Sequence, residues 1–210
     1  MSCERGFSEK ERYFDDLAPT WDHRPTADAD TIDRILSFVD IRPGAAVLDL
    51  GTGTGLLIPH LLGLVGDKGH VYAVDISAGM LNRVRQRIDP FPPNLSLVRA
   101  SAENLPFPDA SMNNVICFAA FPHFDDKVAA LKEMRRVLKP DGVVLIAHAR
   151  GRHAINRMHR TASGPIAHDL VPAPRAMRAL LREAGLMTEN LIDRPDLYLV
   201  VARSAASGRT

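Results

Sequence analysis

Three glycines at alternate positions close the run Val47-Leu48-Asp49-Leu50-Gly51-Thr52-Gly53-Thr54-Gly55, and a second apolar run, Val71-Tyr72-Ala73-Val74-Asp75, ends in an acid. Glycine takes positive φ without steric cost and lets backbone lie against a ligand. The first run therefore predicts a strand, a tight turn and a helix start that faces a ligand, with the main chain of Gly51, Thr52, Gly53 and Gly55 as the contacting surface and helix-start amides aimed at an anionic group. Asp75, at the tip of the next parallel strand, is placed to accept hydrogen bonds from two ribose hydroxyls, as in nucleoside sites of doubly wound folds. A dinucleotide fingerprint wants G-x-G-x-x-G, and Leu56 stands where its third glycine would fall. That opposes an NAD-dependent oxidoreductase.

The G-x-G-x-G pattern, with Asp49 just before it, resembles the first motif of the class I S-adenosylmethionine-dependent methyltransferases. Arg99-Ala100-Ser101-Ala102-Glu103-Asn104-Leu105-Pro106-Phe107 resembles the adenine-side loop of that family, and Val115-Ile116-Cys117-Phe118 its fourth strand. Leu131 to Gly142 resembles the helix and turn before its fifth strand, so the family order holds from about residue 10 to residue 203. The resemblance implies S-adenosylmethionine as cofactor, S-adenosylhomocysteine as product, and the small-molecule group similar to the quinone-biosynthesis C-methyltransferases. It implies that Asp49 lies near the ammonium group or a water beside it, or caps the turn, and that Ile76 packs on adenine. Met80 is a further adenine contact or helix core, and Ala102 turns its main-chain N–H to the ring. Ser101 stands where many members carry an acid that accepts from the adenine amino group, and a hydroxyl accepts more weakly. Glu103 is then a neighbour of the acceptor, and Phe118 lies under the methionine arm or in the core.

Methyl transfer from a sulfonium is an in-line displacement, for which the protein mainly aligns two reactants and excludes water. Where the acceptor must lose a proton a base is needed, and His123, in Phe121-Pro122-His123-Phe124 after the fourth strand, is the candidate, against a histidine that merely bonds backbone at a helix entry. Tyr13 and Trp21 either wall the site and face the sulfonium charge or serve packing. His148, His153, His159 and His168 supply half of the eight histidines, with Asp169 beside the last. If 153–159 is helical, His153 and His159 share a broad face, and with His123 or His168 they form a candidate divalent metal site. A metal-free polar acceptor pocket and solvent-facing histidines are the other readings, and Arg150, Arg152, Arg157 and Arg160 either attract an anionic acceptor or form a solvated face. The function expected is methyl transfer to a small molecule. Its alternatives are a binding protein that senses S-adenosylmethionine or a metal without transfer, and a metal-assisted methyltransferase using 148–169. Cys3 and Cys117 alone are too few thiolates for arsenite chemistry.

The elements that must position these residues follow from periodicity. Strands are expected near 46–50, 71–75, 95–99, 113–118 and 143–148, and helices near 55–65, 77–88, 124–138 and 174–184. Their alternation predicts an α/β, doubly wound, seven-stranded and mostly parallel sheet of Rossmann-like methyltransferase type, closed by an antiparallel hairpin from 187–192 and 197–203. A first helix begins near Ser8 with the capping-box form Ser8-Glu9-Lys10-Glu11 and stops by Pro19; a second carries Ile32, Ile35, Leu36 and Val39. One domain over 1–210 is expected, with 1–30 as an N-terminal lid, 149–173 as a substrate-side connection and 204–210 as a disordered tail. Acids and bases nearly cancel, 25 against 26, so no basic field points to nucleic acid. Met1-Ser2-Cys3-Glu4-Arg5 begins polar, and no run of about 18 apolar residues follows. A cytoplasmic monomer or homodimer with no membrane span is expected.

Overall fold

The computed structural model describes residues 9–23 and 27–204. Ser8 of the capping box, Cys3 and the tail after Ser204 lie outside the described residues. Seven strands form one sheet: β1 Ala46–Leu50, β2 His70–Asp75, β3 Leu95–Arg99, β4 Met112–Phe118, β5 Leu138–His148, β6 Leu186–Arg194 and β7 Leu197–Ser204. The order is β3-β2-β1-β4-β5-β7-β6, with β1 to β5 parallel and β7 antiparallel to both neighbours. This is the expected doubly wound sheet with its closing hairpin.

Successive strand residues face opposite sides, so the sheet is the partition between two apolar layers. Leu48, Leu50, Val115, Cys117, Val144 and Ile146 face one layer, covered by α5 (Lys127–Val137), α6 (Arg152–Thr161) and α7 (Pro174–Glu183). Val47, Ile116, Leu145 and Ala147 face the other, covered by α2 (Ala29–Leu36), α3 (Ile58–Val65) and α4 (Ala78–Arg87). Cys117 is fully buried among these apolar neighbours, a core residue.

Boundaries depart from expectation where local chemistry intervenes. The helix expected from 55 begins at Ile58, because Gly51, Gly53 and Gly55 all hold positive φ and Pro59 suits a first helical turn. The helix expected from 124 begins at Lys127, since the Asp126 carboxylate accepts from the amides of Val128 at 3.0 Å and Ala129 at 2.9 Å. Strand β5 begins at Leu138, five residues early, and carries Lys139 to Gly142 as an irregularity between the Met112–Leu138 and Asn114–Val143 pairings. Within 149–173 the chain forms α6, set against β6 and β7 by Gly151, where a Cβ would strike the Arg194 carbonyl. Among the described residues no helix is long and apolar enough to cross a membrane.

Before the sheet, α1 (Glu9–Leu17) runs into a 3-10 turn over Ala18–His23, which ends the helix ahead of Pro19. A second 3-10 turn, Phe121–His123, follows β4. Both turns and α6 gather beyond the carboxyl ends of β1, β2 and β4.

Candidate active site

A cavity of about 1040 Å³ opens beyond those strand ends. Its floor is the turn after β1. The amides of Gly51 and Thr52 both donate to the Val74 carbonyl, at 2.8 and 2.9 Å, which ties the turn to the tip of β2. A Cβ at Gly51, whose φ is +76°, would run into Ala120, so this position demands glycine both for its backbone and for the close approach of the β4 loop. The loop amides of Gly51, Thr52 and Gly53 are thus spent inside the protein. The helix-start amides begin three residues beyond Gly55, farther along than expected.

Two desolvated carboxylates flank the turn. Asp75 Oδ2 accepts from Gly53 N at 2.8 Å and Oδ1 from Ser77 N at 2.9 Å. Burial nevertheless pushes its pKa up to about 6 against those bonds. Asp49 is 1% exposed, its Oδ2 accepts from the Thr52 hydroxyl at 2.6 Å, and burial, with Asp75 adding, pushes it up to about 7. Neither carboxylate has a salt-bridge partner among the described residues, and each retains lone pairs beyond the bonds it makes. Such a pair is poised for a ligand that brings positive charge and hydroxyl donors.

The Asp49 carboxyl binds its proton more tightly folded than unfolded, so its contribution to apoprotein stability is present below pH 4 and lost as pH rises through about 7. Asp49→Asn keeps the oxygen that Thr52 addresses and removes this loss. Thermal melting of the apoprotein is expected to show equal midpoints near pH 4 and a variant stabilised by at least about 2 °C at pH 8. Affinity for a cationic ligand should fall in the same variant. A variant that melts below wild type at pH 8 contradicts the assignment.

Beside Asp75, Ile76 and the fully buried Met80 line the cavity, as do Ala102 and the half-buried Phe118, which also packs on the α2–α4 layer. The Ser101 hydroxyl donates to Glu103 and accepts from Glu103 N at 3.2 Å, while Glu103 Oε1 accepts from Asp125 N at 3.0 Å. Glu103 is thus a brace between two loops as well as a neighbour of Ser101.

The N-terminal segment forms the roof. Asp15 Oδ1 accepts from Ser77 Oγ at 2.5 Å and Gly79 N at 2.8 Å, at the start of α4. Asp22 Oδ1 accepts from Thr54 Oγ1 at 2.6 Å and from Arg87 at 3.1 Å, and Glu11 pairs with Arg99. Trp21 Nε1 lies 3.7 Å from where a Gly53 Cβ would stand. Phe14 stacks edge-on against Tyr13, Trp21 and His123.

At the far end of the cavity His123, His148 and His159 converge, with ring centroids of His123 and His159 5.0 Å apart. His123 Nδ1 lies 2.9 Å from Asp169 Oδ2, which favours the Nδ1–H tautomer and leaves Nε2 as the basic atom. Burial lowers the His123 pKa, and His159 and Lys10 add to that against Asp169, so the ring is neutral at pH 7. His159 Nδ1 bonds the Asp169 carbonyl. His148, 6% exposed, is held neutral by burial and its two imidazole neighbours, with a pKa pushed down to about 3, and its Nε2 has no hydrogen-bond partner among the described residues. Asn156 exchanges two hydrogen bonds with the backbone of Val171, which fixes α6 to the irregular segment carrying Asp169.

The metal expectation is corrected. Among the described residues no group of three histidines, cysteines or acids is arranged to hold an ion. Six positions turn a helix by about 600°, so His153 and His159 lie roughly 120° apart. His153 accordingly points out beside Arg152, His159 is buried, and His168 is exposed. Arg152 pairs with Asp193 at 2.9 Å, while Arg157 and Arg160 are exposed and Arg150 stands at the cavity rim.

Sequence reasoning missed Lys10 and Asp22, which line this cavity, and Asp15, which ties its roof to the start of α4, and took Asp169 only as a companion to the metal candidates. Their partners lie 32 to 159 positions away, beyond any local spacing signal.

Residues 47–142 match a family described as a methyltransferase domain. The ubiquinone/menaquinone biosynthesis C-methyltransferase UbiE of Shewanella sp. (strain W3-18-1) is 43% identical over 119 residues, covering 55% of this chain and 47% of that protein. UbiE of Vibrio campbellii is 44% identical over 107 residues, covering 50% and 41%. The chain thus matches about half the length of these curated relatives. A SAM-dependent methyltransferase from Aquifex aeolicus superimposes with a TM-score of 0.72 at 22% identity over 90% of this chain and 97% of that one. A Haloferax volcanii chain, from a complex of the Trm112 methyltransferase activator and a methyltransferase, gives 0.75 at 22% over 91% and 97%. At that identity they show a shared fold.

Proposed function

We propose that this chain is a class I S-adenosylmethionine-dependent methyltransferase, a reading supported by the methyltransferase-domain match over residues 47–142, and that it transfers the methyl group of S-adenosylmethionine to a small-molecule acceptor. The observation that carries this reading is one continuous cavity with the glycine turn and the uncompensated Asp75 carboxylate at one end, Asp49 buried just behind that turn, and a neutral, carboxylate-held imidazole at the other.

The residues fit the cofactor. Desolvated Asp49 behind the turn suits an ammonium, or a water beside one, and Asp75 suits paired ribose hydroxyls; Gly51, Thr52 and Gly53 line the floor, the two glycines without side chains that would fill it, whereas Gly55 faces Ile58 and Val84 in the packing of α3 and α4. Ile76, Met80 and Ala102 would hold the adenine, with Ser101, whose proton is committed to Glu103, accepting from its amino group through a remaining lone pair. Phe118 would lie under the methionine arm. When bound, the cofactor supplies a methyl on a sulfonium, whose S–CH3 electron pair stays with sulfur as the acceptor's own pair forms the new bond.

The chain's part is alignment and proton removal. His123 takes the acceptor proton on Nε2 as the new bond forms, becoming an imidazolium held by Asp169. Tyr13, Phe14 and Trp21 in the roof, with α6 opposite, exclude water and place the acceptor on the sulfur axis. Single-ligand pockets run to about 300–1,000 Å³. A cavity at the top of that range suits the cofactor and a small acceptor together rather than a macromolecule.

The test is incubation with methyl-labelled S-adenosylmethionine and a deproteinised cell extract. Label in a small-molecule product, with one S-adenosylhomocysteine released per label transferred, is expected. Tight cofactor binding with no acceptor-dependent release contradicts transfer and favours a sensing role.

A further inference from the structure

The least explained contact in the cavity is a cation that nothing in the cofactor chemistry asks for. Lys10 Nζ donates to Asp169 Oδ1 at 2.9 Å, to the His123 carbonyl at 2.8 Å and to Asp125 Oδ1 at 2.8 Å. An ammonium has three protons, and these three acceptors use them all. The opposite oxygen of the same Asp169 carboxylate meets His123 Nδ1. Lysine from α1, aspartate from the segment after α6 and histidine from the turn after β4 therefore form one chain of charge-assisted bonds across three separate segments.

We propose that Asp169 and Lys10 are positioning residues for the base: Asp169 fixes the His123 tautomer, and Lys10 locks Asp169 and the His123 backbone in place, so that the base is complete only when the N-terminal helix is seated. The inference rests on the reading of His123 as base. Its physical content is division of labour. A carboxylate that accepted only from the imidazole could rotate about its own bonds or bind a cofactor-side donor, whereas one held at its second oxygen presents a fixed acceptor to Nδ1. The burial of both side chains, 14% exposed for Lys10 and 9% for Asp169, keeps water from substituting for either. Because α1 also carries Glu11, Asp15 and the aromatic roof residues Tyr13 and Phe14, release of the helix would open the cavity and free the base together. Proton transfer to His123 is thereby confined to the closed, water-poor state.

The groups facing His123 are Lys10 and Phe14 from α1, His148 from the end of β5, His159 from α6 and Asp169. Asp125 and Lys127 stand behind Lys10 and Asp169. The experiment is NMR titration of the histidine rings in full-length protein saturated with S-adenosylhomocysteine, with His123 assigned from the His123→Gln spectrum. Nitrogen shifts are expected to report the Nδ1–H tautomer. Lys10→Met should raise the His123 pKa and Asp169→Asn should lower it, each by about one unit or more. Lys10→Arg, which keeps the charge, should stay closer to wild type than Lys10→Met.

A merely structural role would expose the ring to water in both variants and move both titrations upward, towards the ordinary value. An Asp169→Asn titration that rises or stays put in a protein that still melts cooperatively overturns the proposal. Turnover of His123→Gln, measured in parallel, separates the premises. An active variant overturns the base reading on which the proposal rests; an inactive one with an unmoved Asp169→Asn titration overturns the positioning roles alone.

Discussion

Asp75→Ala is expected to weaken S-adenosylhomocysteine binding by at least about 100-fold while the protein still melts cooperatively. Hydrogen bonds to a charged acceptor are worth about 1.5–3 kcal/mol each, and two ribose hydroxyls on one carboxylate account for two decades without any other loss. The variant also strips Gly53 N and Ser77 N of their acceptor, so the glycine turn loses one tie to the end of β2 and keeps those of Gly51 N and Thr52 N to the Val74 carbonyl. Stability should suffer far less than affinity. Keeping a desolvated carboxylate ionised at neutral pH works against the apoprotein, since its folded pKa of about 6 lies above the unfolded value. The same displacement makes affinity fall below pH 6, where a proton replaces the ligand's donors. Calorimetric affinity within threefold of wild type would sink the assignment of Asp75.

His123→Gln should show the reverse pattern. Glutamine fills the space and can bond Asp169, but it cannot take a proton. General-base catalysis contributes about 10²–10⁴-fold, so kcat is expected to fall by roughly that factor with cofactor affinity within about threefold of wild type. The pH profile carries a second signature. A neutral imidazole is the active form, so wild-type kcat/KM should fall on the acid side, through a pKa below the ordinary histidine value because burial disfavours the charged ring. Measured for the acceptor at saturating cofactor, where the Asp75 titration no longer contributes, that limb should vanish in the variant. Unchanged turnover would leave His123 as the last residue of a 3-10 turn and nothing more.

The sheet was legible because buried parallel strands are short, continuous apolar runs. Val47–Leu50, Val71–Val74 and Val143–Ala147 have no competing helical period. The glycine turn was legible for a sharper reason, since only glycine suits Gly51 with its positive φ and its contact with Ala120. The start of α5 was misjudged by three residues because the deciding group is a single side chain, Asp126, and that of α3 by three because of the glycine conformations ahead of it. The roof was not legible. Lys10, Asp15 and Asp22 sit in a segment whose pattern reads as an ordinary amphipathic helix and turn, and their roles exist only through partners on α4, the glycine turn and the segment after α6. The histidine segment misled for a related reason. Residue counting brought His153, His159 and His168 together, whereas the helix turns His153 outward and buries His159, which meets His123 and His148 instead. A local excess of imidazole was visible in sequence; which imidazoles face one another was decided by the packing of α6 against the end of β5.

The central claim, that this cavity is a cofactor site of the methyltransferase kind, is tested most directly by calorimetric titration of the wild-type protein with S-adenosylhomocysteine, with NAD in a parallel cell. One site per chain for S-adenosylhomocysteine, with an affinity that weakens below pH 6 and no heat from NAD, is the predicted result. No binding of S-adenosylhomocysteine by cooperatively folded protein, or binding indifferent to pH between 5 and 8, would contradict the account of Asp49 and Asp75.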